Sequence, residues 1–324
     1  MAADGENIFV YLGGDQFVPD GVTHAVIDPS VNIVRRGAFS YRRRLVSVIF
    51  HDGVEIIEGW AFDGCVSLPR IKLLGVREIG QEAFYGCEDL SGLEFGDKLE
   101  TIGVCAFGNC NSLRSIKIPS VRSVQEWAFS PCEQLTDVEF GINLRTIGFN
   151  SFYHCDVLQR IVIPLKDGLF TFDANERRYD QFDSCDNLTT VDLVGAEGIQ
   201  NTISSLLLGS WKDEMNEEIN HINLVLPNTF PIAKTGLIRQ WIRSVIDSMD
   251  HYKAEHNRLL KEHMTLLELA IWKAKLDERD GSSTQKVLEA KRAKIDEEIK
   301  REEKRITSGA DIIIKNVLPF LGLA

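Results

Sequence analysis

One hydrophobic pattern repeats five times between Val54 and Ile163. Each copy contains a small residue followed by phenylalanine, and these phenylalanines recur at intervals that alternate between 22 and 23 residues. An apolar residue precedes each phenylalanine by five positions, a cysteine follows it by three, a leucine by six, and two more apolar residues by nine and eleven. A repeat with a fixed period of about 20–50 residues is typical of a solenoid, in which each unit packs on its neighbours.

Each unit predicts one short β-strand and one return turn. The leucine and the two apolar residues after it alternate with other positions, as in a strand with one buried face. Because successive strands belong to successive coils, we expect them to lie parallel. In the return turn, phenylalanine should fill the interior and cysteine should act as a small buried apolar residue. The pattern predicts a repeat solenoid of parallel β-strand coils, each 22–23 residues long, followed by an α-helical C-terminal segment.

The chain enters this pattern with half a unit. Val22, Ala25 and Ile27 match the leucine and the two strand positions, and Ile8–Leu12 predicts an earlier strand. A terminal coil without a cap would expose an apolar face to water. We therefore expect the first strand to cover the open end of the stack.

The first full unit differs from the later units at its cysteine position. Phe39 belongs to this unit, and Arg42 stands where the later units have cysteine. The stretch Arg42–Arg44, with Arg35 and Arg36, forms a dense basic patch, for which we expect a solvated edge near the cap. A localisation signal or an anion contact is the alternative interpretation.

The regular spacing breaks after Ile163. Phe182, which continues the series, follows Phe152 by 30 residues, so an insertion lies around residues 166–179. Insertions in solenoids form loops on one face, often the binding face, but an irregular penultimate repeat is also typical of a C-terminal cap. Both interpretations stay open. A final strand is then expected over a short apolar stretch. Its apolar residues are Ile219, Ile222 and Leu224.

A helical pattern replaces the strand pattern from about Thr235. Apolar residues recur every three or four positions until Asp280, which ends the run. A second helix, from Ser282 to about Arg305, is dense in charge and predicts an exposed helix or a coiled-coil arm. The apolar segment 311–324 has 14 residues, too few to span a bilayer as a helix, and is expected to dock on this chain's helices or on a partner.

These patterns divide the chain into three segments. Residues 1–36 form an N-terminal cap and half repeat, residues 37–231 form the solenoid with irregular last repeats, and residues 232–324 form the helical C-terminal segment. We expect the last segment to cap the solenoid, to dimerise or to recruit a second protein.

Side chains between the inward positions of the strands form an outward face. Parallel strands stack about 4.8 Å apart, so equivalent positions of successive coils lie side by side. In one column, Lys72, Glu94, Lys117 and Glu139 would form a ladder of alternating charge. Such a ladder stabilises the stack by pairing its own charges or offers a polar surface to a partner, and the two roles can coexist. The candidate partner-binding face consists of Arg70, Lys72, Glu94, Lys117, Asp137, Glu139 and Arg160.

Charge is distributed unevenly along the 324 residues, whose net charge is −12. Residues 1–233 carry 18 Lys and Arg against 33 Asp and Glu, whereas residues 234–324 carry 18 against 15. An acidic solenoid repels phosphate backbones, so we expect no nucleic-acid partner. The N-terminal residues do not resemble a secretory signal, and no stretch approaches the ~18–20 apolar residues of a membrane span. These features favour a cytoplasmic protein without a membrane span.

The seven cysteines predict reduced structural thiols. Six of them, from Cys65 to Cys185, occupy the repeat position, and their spacing is not that of zinc ligands. An odd number of cysteines in a chain without an export signal indicates an intracellular compartment. Phosphate-binding, serine-hydrolase and metalloprotease motifs do not occur in the sequence. We therefore expect neither catalysis nor a cofactor, and a redox sensor built on the cysteines, such as Cys105, is a minor alternative.

The repeat unit strongly resembles one class of leucine-rich repeat. The unit Val-x-x-Ile-Gly-x-x-Ala-Phe-x-x-Cys-x-x-Leu-x-x-Ile-x-Ile-Pro is clearest in Val76–Leu93 and Leu99–Pro119 and resembles the BspA-like class from about Val22 to Leu193. The resemblance implies a right-handed, curved solenoid that binds proteins or surfaces and carries no catalytic residue to transfer. Many members are surface adhesins, and a cytoplasmic set with a charged helical C-terminal segment is similar to what single-celled algae encode.

These observations together favour a non-catalytic scaffold that binds an unidentified protein through its leucine-rich repeats. A homodimer through the C-terminal helices is a further expectation. The main alternative is an exported cell-surface adhesin, for which the glycosylation sequon at Asn187 would be relevant.

Overall fold

Stacked coils dominate the computed structural model, which describes residues 8–171, 180–195, 209–279 and Ile295. The chain forms two compact units. The first comprises Met1–Gln200 and Glu214–Ile246, and the second comprises Asn201–Asp213 and Asp247–Ala324. The coils lie in the first unit.

The described residues of the coils form short strands. In chain order they are β1 (Ile8–Tyr11), β2 (His24–Ile27), β3 (Ile33–Val34), β4 (Ser47–Ile49), β5 (Ile56–Ile57), β6 (Arg70–Leu73), β7 (Glu78–Ile79), β8 (Gly92–Phe95), β9 (Thr101–Ile102), β10 (Ser115–Ile118), β11 (Ser123–Val124), β12 (Asp137–Phe140), β13 (Thr146–Ile147), β14 (Arg160–Ile163) and β15 (Thr190–Leu193).

All the pairings between these strands are parallel, as the sequence predicts. The longer strands form three successive ladders, β1-β2-β4, β6-β8 and β10-β12-β14-β15. The two-residue strands form a second sheet in the order β3-β5-β7-β9-β11-β13. This second sheet contains the apolar position five residues before each phenylalanine, which the sequence marks as apolar without predicting a strand.

A column of phenylalanine rings fills the interior. Successive rings stack with their centroids 4.9–5.7 Å apart, and each ring is fully buried. Offset stacking at such distances adds attraction to the burial of apolar area. The column consists of Phe39, Phe62, Phe84, Phe107, Phe129, Phe152 and Phe182. The predicted inward position of the phenylalanines is therefore confirmed.

Hydrogen bonds along this column join each coil to both of its neighbours. The amide of Phe62 donates to the carbonyl of Ala83 in the next coil at 2.7 Å, and the thiol of Cys87 donates back to the carbonyl of Phe62 at 3.3 Å. The other five repeat cysteines make the same bond at 3.0–3.2 Å. All six are buried, so the thiols fill space and also satisfy backbone carbonyls that water cannot reach.

At the N-terminal end, side chains take the place of a preceding coil. The ring of Tyr11 lies 5.2 Å from that of Phe39 and is fully buried. The side chain of Gln16 accepts from the amide of Leu12 at 2.6 Å and donates to the carbonyl of Val10 at 3.3 Å. An unpaired strand edge is a template for unwanted pairing. The side chain of Gln16 therefore satisfies one backbone donor and one backbone acceptor at the edge of β1.

Arg42 is not the solvated residue that its basic surroundings predict. Its side chain is 13% exposed, pairs with Asp20 at 3.5 Å and donates from Nε to the carbonyl of Val18 at 2.6 Å. The expectation is wrong here because Arg42 occupies the inward cysteine position of its coil. It holds for Arg35, Arg36, Arg43 and Arg44, which are exposed.

Helices follow the last coil, and one of them replaces a predicted strand. They are α1 (Gly209–Val225), a 3-10 turn (Leu226–Asn228) and α2 (Pro231–Arg279). The predicted strand over Ile219, Ile222 and Leu224 is wrong because this stretch lies in α1. The reason is visible in the buried positions, Met215, Ile222 and Leu226, which follow a helical spacing, whereas Leu224 is 74% exposed.

The beginning of α2 closes the interior of the last coil. The hydroxyl of Thr235 accepts from the amide of Phe182 at 3.3 Å, in place of the carbonyl that a further coil would supply. Lys234 is 1% exposed, and its ammonium donates to the carbonyls of Cys185, Asp186 and Leu188 at 2.8–2.9 Å. A buried charge is tolerated when all of its donors are satisfied in this way.

The edge of the last strand is also covered. The side-chain oxygen of Asn223 in α1 accepts from the amide of Val191 in β15 at 2.8 Å. The indole of Trp241 in α2 donates to the carbonyl of Glu218 at 3.0 Å, which joins the two helices within the first unit. The described residues 214–246 therefore form the C-terminal cap of the solenoid.

The start of the insertion belongs to the coils. Phe170 is buried and forms a parallel bridge with Ile147, so it extends the sheet of two-residue strands. Residues 172–179 of the insertion lie outside the described residues. So do the predicted helix from Ser282 to Arg305, apart from Ile295, and the apolar segment 311–324.

Candidate protein-binding face

The outward side chains of the longer strands form one face of the first unit, here called the strand face. The seven residues predicted for partner binding all lie on it, on β6, β8, β10, β12 and β14. The strand register places Lys72 beside Glu94 and Lys117 beside Glu139. Lys72 and Lys117 are the most exposed of these four, with 69% and 68% of their side chains accessible.

The predicted ladder of alternating charge is two separate ion pairs. Lys72 pairs with Glu94 at 2.7 Å, and Lys117 pairs with Glu139 at 2.7 Å. Strands β8 and β10 belong to different ladders, and no ion pair joins Glu94 to Lys117 among the described residues. Exposed pairs of this kind contribute about 0–1 kcal/mol each. The face is therefore charged but only locally neutralised.

Arg160 forms the most extensive charge network on the strand face. Its guanidinium donates to Asp137 at 3.2 Å on one side and to Asp192 at 2.7 Å on the other. The hydrogen bond with Asp192 is the main reason that the pKa of Arg160 is raised above its usual range. Asp192 was not among the predicted site residues, although it continues the column of Glu139.

A shallow groove lies at the edge of the strand face, where the chain enters β6, β8, β10 and β12. It has a volume of about 720 Å³ and is lined by Pro69, Arg70, Asp89, Ser91, Ser112, Arg114 and Gln134. Arg70 belongs to β6, and its stem lies over Gly92, its register partner, where an added Cβ would meet the Cγ of Arg70 at 2.9 Å. The groove could not be predicted from the sequence column alone, and Arg114 was missed.

The sheet of two-residue strands carries a different charge pattern. Glu100 lies between Arg77 and Arg122, each 3.7 Å away, and all three side chains are about half exposed. Lys117 lies in β10 on the strand face, whereas Arg122 directly precedes β11 of the second sheet. They are therefore a matched pair of ion-paired cations for testing which surface binds.

The cysteines do not have the properties of reactive thiols. Burial raises the pKa of Cys65 and of Cys155 to about 12, and it raises the pKa of the other repeat cysteines as well. Cys105 is only partly buried, but burial and the carboxylates of Glu82 and Glu126 raise its pKa to about 11. A redox sensor needs an accessible thiolate near neutral pH. The raised pKa values therefore argue against the redox alternative.

The described residues show neither a metal site nor a membrane span. Within them, no three His, Cys, Asp or Glu side chains are grouped so that they could hold a metal ion. None of the helices in the described part of the chain has both the length and the apolar character needed to cross a membrane.

The coil geometry defines a leucine-rich repeat solenoid. A family model described as "BspA type Leucine rich repeat region (6 copies)" matches residues 12–120 and 77–205. The match covers more than half of the chain, and the chain therefore belongs to the BspA-type leucine-rich repeat family. This family is generally non-enzymatic, and membership indicates a role in protein interaction or adhesion.

Several solved structures are similar to the solenoid. A leucine-rich repeat protein from T. pallidum is 28% identical over 57% of this chain and 73% of that protein, with a TM-score of 0.40. A leucine-rich repeat protein from Bacteroides ovatus is 22% identical over 53% of this chain and 61% of that protein, with a TM-score of 0.29. A leucine-rich cell surface protein from Faecalibacterium prausnitzii is 25% identical over 56% of this chain and 62% of that protein, with a TM-score of 0.29. The chain spans less than two thirds of the last two proteins. No curated protein matches it.

Proposed function

We propose that this protein is a non-catalytic scaffold that acts in the cytoplasm and binds another protein through its strand face. One observation carries the proposal: the strand face presents exposed charges that pair only within each ladder, on a stack of coils whose interior is uniformly packed. A stiff stack positions its outward side chains before the partner arrives, which lowers the entropy lost on binding.

The test is capture of a specific protein from native extract with the full chain and two matched variants. Lys117→Glu reverses an ion-paired cation on the strand face, and Arg122→Glu reverses one in the same coil outside it. We expect Lys117→Glu to lose the captured protein and Arg122→Glu to retain it. Equal capture by both variants, or equal loss, would show that the strand face is not the binding surface.

The structure changes how a truncation can be used in this experiment. Cutting the chain after Pro231 removes Lys234 and Thr235, which satisfy the backbone of the last coil. Loss of binding by that fragment would then reflect an exposed apolar end. Full-length variants avoid this problem.

The adhesin role remains the second candidate because the family includes it. The observation that bears on it is Asn187, which is exposed and donates from its side chain to the carbonyl of Asp156 at 2.7 Å. An exported chain could carry a glycan at this sequon. Intact-mass measurement of the protein from its native source tests this role, and a glycan on Asn187 would replace the cytoplasmic proposal with export.

We also propose that α2 pairs with a second copy of the chain. Leu260, Met264, Leu267 and Ile271 follow the alternating four- and three-residue spacing of a coiled-coil seam. Leu260, Met264 and Ile271 are 39%, 60% and 39% exposed. Analytical ultracentrifugation of the full chain should show a dimer that Met264→Glu dissociates. A monomer at every concentration would contradict this assignment.

A further inference from the structure

Two arginines line the groove, Arg70 on the strand face and Arg114 directly before β10 at its edge, and they differ from the paired cations of this face. Lys72, Lys117 and Arg160 all pair with carboxylates of neighbouring strands. The guanidinium groups of Arg70 and Arg114 have no ion pair or hydrogen bond with any described residue. Both side chains are exposed. Their positive charge is therefore available to a ligand in the part of the face where the surface is concave.

The register explains why the charge of Arg70 is left over. Gly92 occupies the position that would otherwise pair with Arg70, whereas Arg160 has Asp137 as its register partner. A carboxylate at position 92 would neutralise Arg70 as Asp137 neutralises Arg160. Glycine instead leaves Arg70 without a charged register partner.

The spacing of the arginines limits what can bind. Arg70 and Arg114 lie two coils apart, which separates their backbones by about 10 Å along the stack. A polyproline II peptide has three residues per turn and advances about 3.1 Å per residue, so side chains three positions apart lie on the same side of it, about 9 Å apart. The carboxylate of Asp89 lines the groove at the coil between them. A third acidic group on the ligand would be repelled there.

We propose that the groove binds a polyproline II segment of a partner protein that carries two carboxylates three residues apart, with no acidic residue between them. Arg70 and Arg114 each receive one carboxylate, a geometry that guanidinium groups match with paired N–H donors. Ser112 and Gln134 line the same groove and offer polar groups to the peptide backbone. This inference rests on the proposed function, because it names the kind of partner that the strand face takes.

Fluorescence anisotropy with rhodamine-labelled peptides tests the inference on the full chain. The probe is a peptide containing Glu-Pro-Pro-Glu, which favours the polyproline II conformation, and the comparison peptides contain Gln-Pro-Pro-Gln, Lys-Pro-Pro-Lys or a phosphoserine pair at the same spacing. We expect the glutamate peptide to bind and the glutamine and lysine peptides not to bind. Rising salt should weaken binding, because exposed charge pairs are screened.

Protein variants provide the matched control. Arg70→Ser/Arg114→Ser should weaken binding of the glutamate peptide by roughly tenfold or more, since two exposed charge pairs are lost. Arg122→Ser/Arg145→Ser, which removes the same charge outside the strand face, should leave binding unchanged. Equal binding by both double variants would overturn the inference, as would a peptide preference for lysine or for phosphoserine alone, or failure of the glutamate peptide to bind.

The same variants separate this inference from the proposed function. If Lys117→Glu loses the captured protein while Arg70→Ser/Arg114→Ser keeps it, the strand face binds a partner but the groove does not select it. If neither variant changes capture, the proposed function itself is wrong. Loss of capture by both variants, with the peptide results above, supports both.

Discussion

The interior of the solenoid and its strand face are built by the same repeats but follow opposite rules. In the interior, every complete coil contributes the same ring, and six coils contribute the same thiol, bonded to the same carbonyl of the coil before. On the strand face, equivalent positions hold arginine, glycine, serine and aspartate. Uniform columns stabilise the stack through nearest-neighbour contacts. On the strand face, the side chains differ from coil to coil, and such differences allow a surface to distinguish one partner from another.

The strongest test of this comparison removes one ring from the interior. Phe107→Ala should lower the free energy of unfolding by roughly 3–5 kcal/mol, because it leaves a cavity between two stacked neighbours. Ile142→Ala, at a residue 66% exposed, is the control and should change it by less than about 0.5 kcal/mol. Urea denaturation followed by circular dichroism measures both. Similar midpoints for the two variants would show that the ring column does not hold the coils together.

The end of the interior column should be nearly as sensitive. Lys234→Ala removes a charged donor from three carbonyls of the last coil, of which that of Cys185 keeps the amide of Leu188, and should cost about 2–4 kcal/mol. Lys253→Ala removes an exposed lysine from the same helix and should cost less than about 1 kcal/mol. Thermal unfolding compares the two. If Lys234→Ala left the unfolding temperature unchanged, α2 would not act as the cap.

Alkaline pH tests the thiol column. The buried thiols have pKa values raised above their usual range, so they stay protonated in the folded chain but ionise in the unfolded chain above about pH 8.5. Their contribution to stability is complete below that pH and is lost as pH rises toward the folded-state values, which are about 12 for Cys65 and Cys155. Stability should therefore fall between about pH 9 and 11.

A single substitution isolates this effect from other titrating groups. Cys110→Ala should make the fall shallower by about 1.4 kcal/mol per pH unit, the value for one proton. Ser120→Ala, on the same coil, should leave the slope unchanged. Urea midpoints measured across this pH range give the slopes. Identical slopes for wild type and Cys110→Ala would contradict the raised pKa values.

The smallest effects are expected on the strand face. Arg160→Ala breaks pairs with Asp137 and Asp192 and should cost about 1 kcal/mol. Arg70→Ala breaks no pair and should leave the unfolding midpoint where it is. Differential scanning calorimetry resolves this difference. A larger loss for Arg70→Ala than for Arg160→Ala would mean that Arg70 is needed for folding and is not held ready for a ligand.

The sequence predicts what the repeats have in common and misses what occurs once. The parallel strands and the phenylalanine and cysteine columns follow from spacing, because every copy repeats the same signal. Arg42 was expected to be solvated because of its charge, but its place at the inward cysteine position of the repeat determines that it is largely buried. A cap was one of the roles expected of the C-terminal segment, but the sequence did not identify Thr235 and Lys234 as its contact residues, because their hydrogen bonds to Phe182 and the last turn occur once and follow no repeat.

The same reasoning explains the errors at the candidate site and in α1. Ile219, Ile222 and Leu224 suit a strand locally, but the buried series through Met215 and Leu226 favours a helix against the last coil. On the strand face, the register within each ladder was predicted, but the continuous charge ladder was not, because β8 and β10 belong to different ladders. The groove is lined by residues of several coils, so it becomes visible only when the neighbouring coils are in place.

The most direct test of the central claim is lysine acetylation, read by mass spectrometry, of the full chain with and without the protein that it captures. Lys72 and Lys117 lie on the strand face, and Lys98 is an exposed lysine outside its strands. We expect the captured protein to shield Lys72 and Lys117 from acetylation and to leave Lys98 reactive. Shielding of Lys98 or of the lysines of α2, with Lys72 and Lys117 unaffected, would contradict this claim.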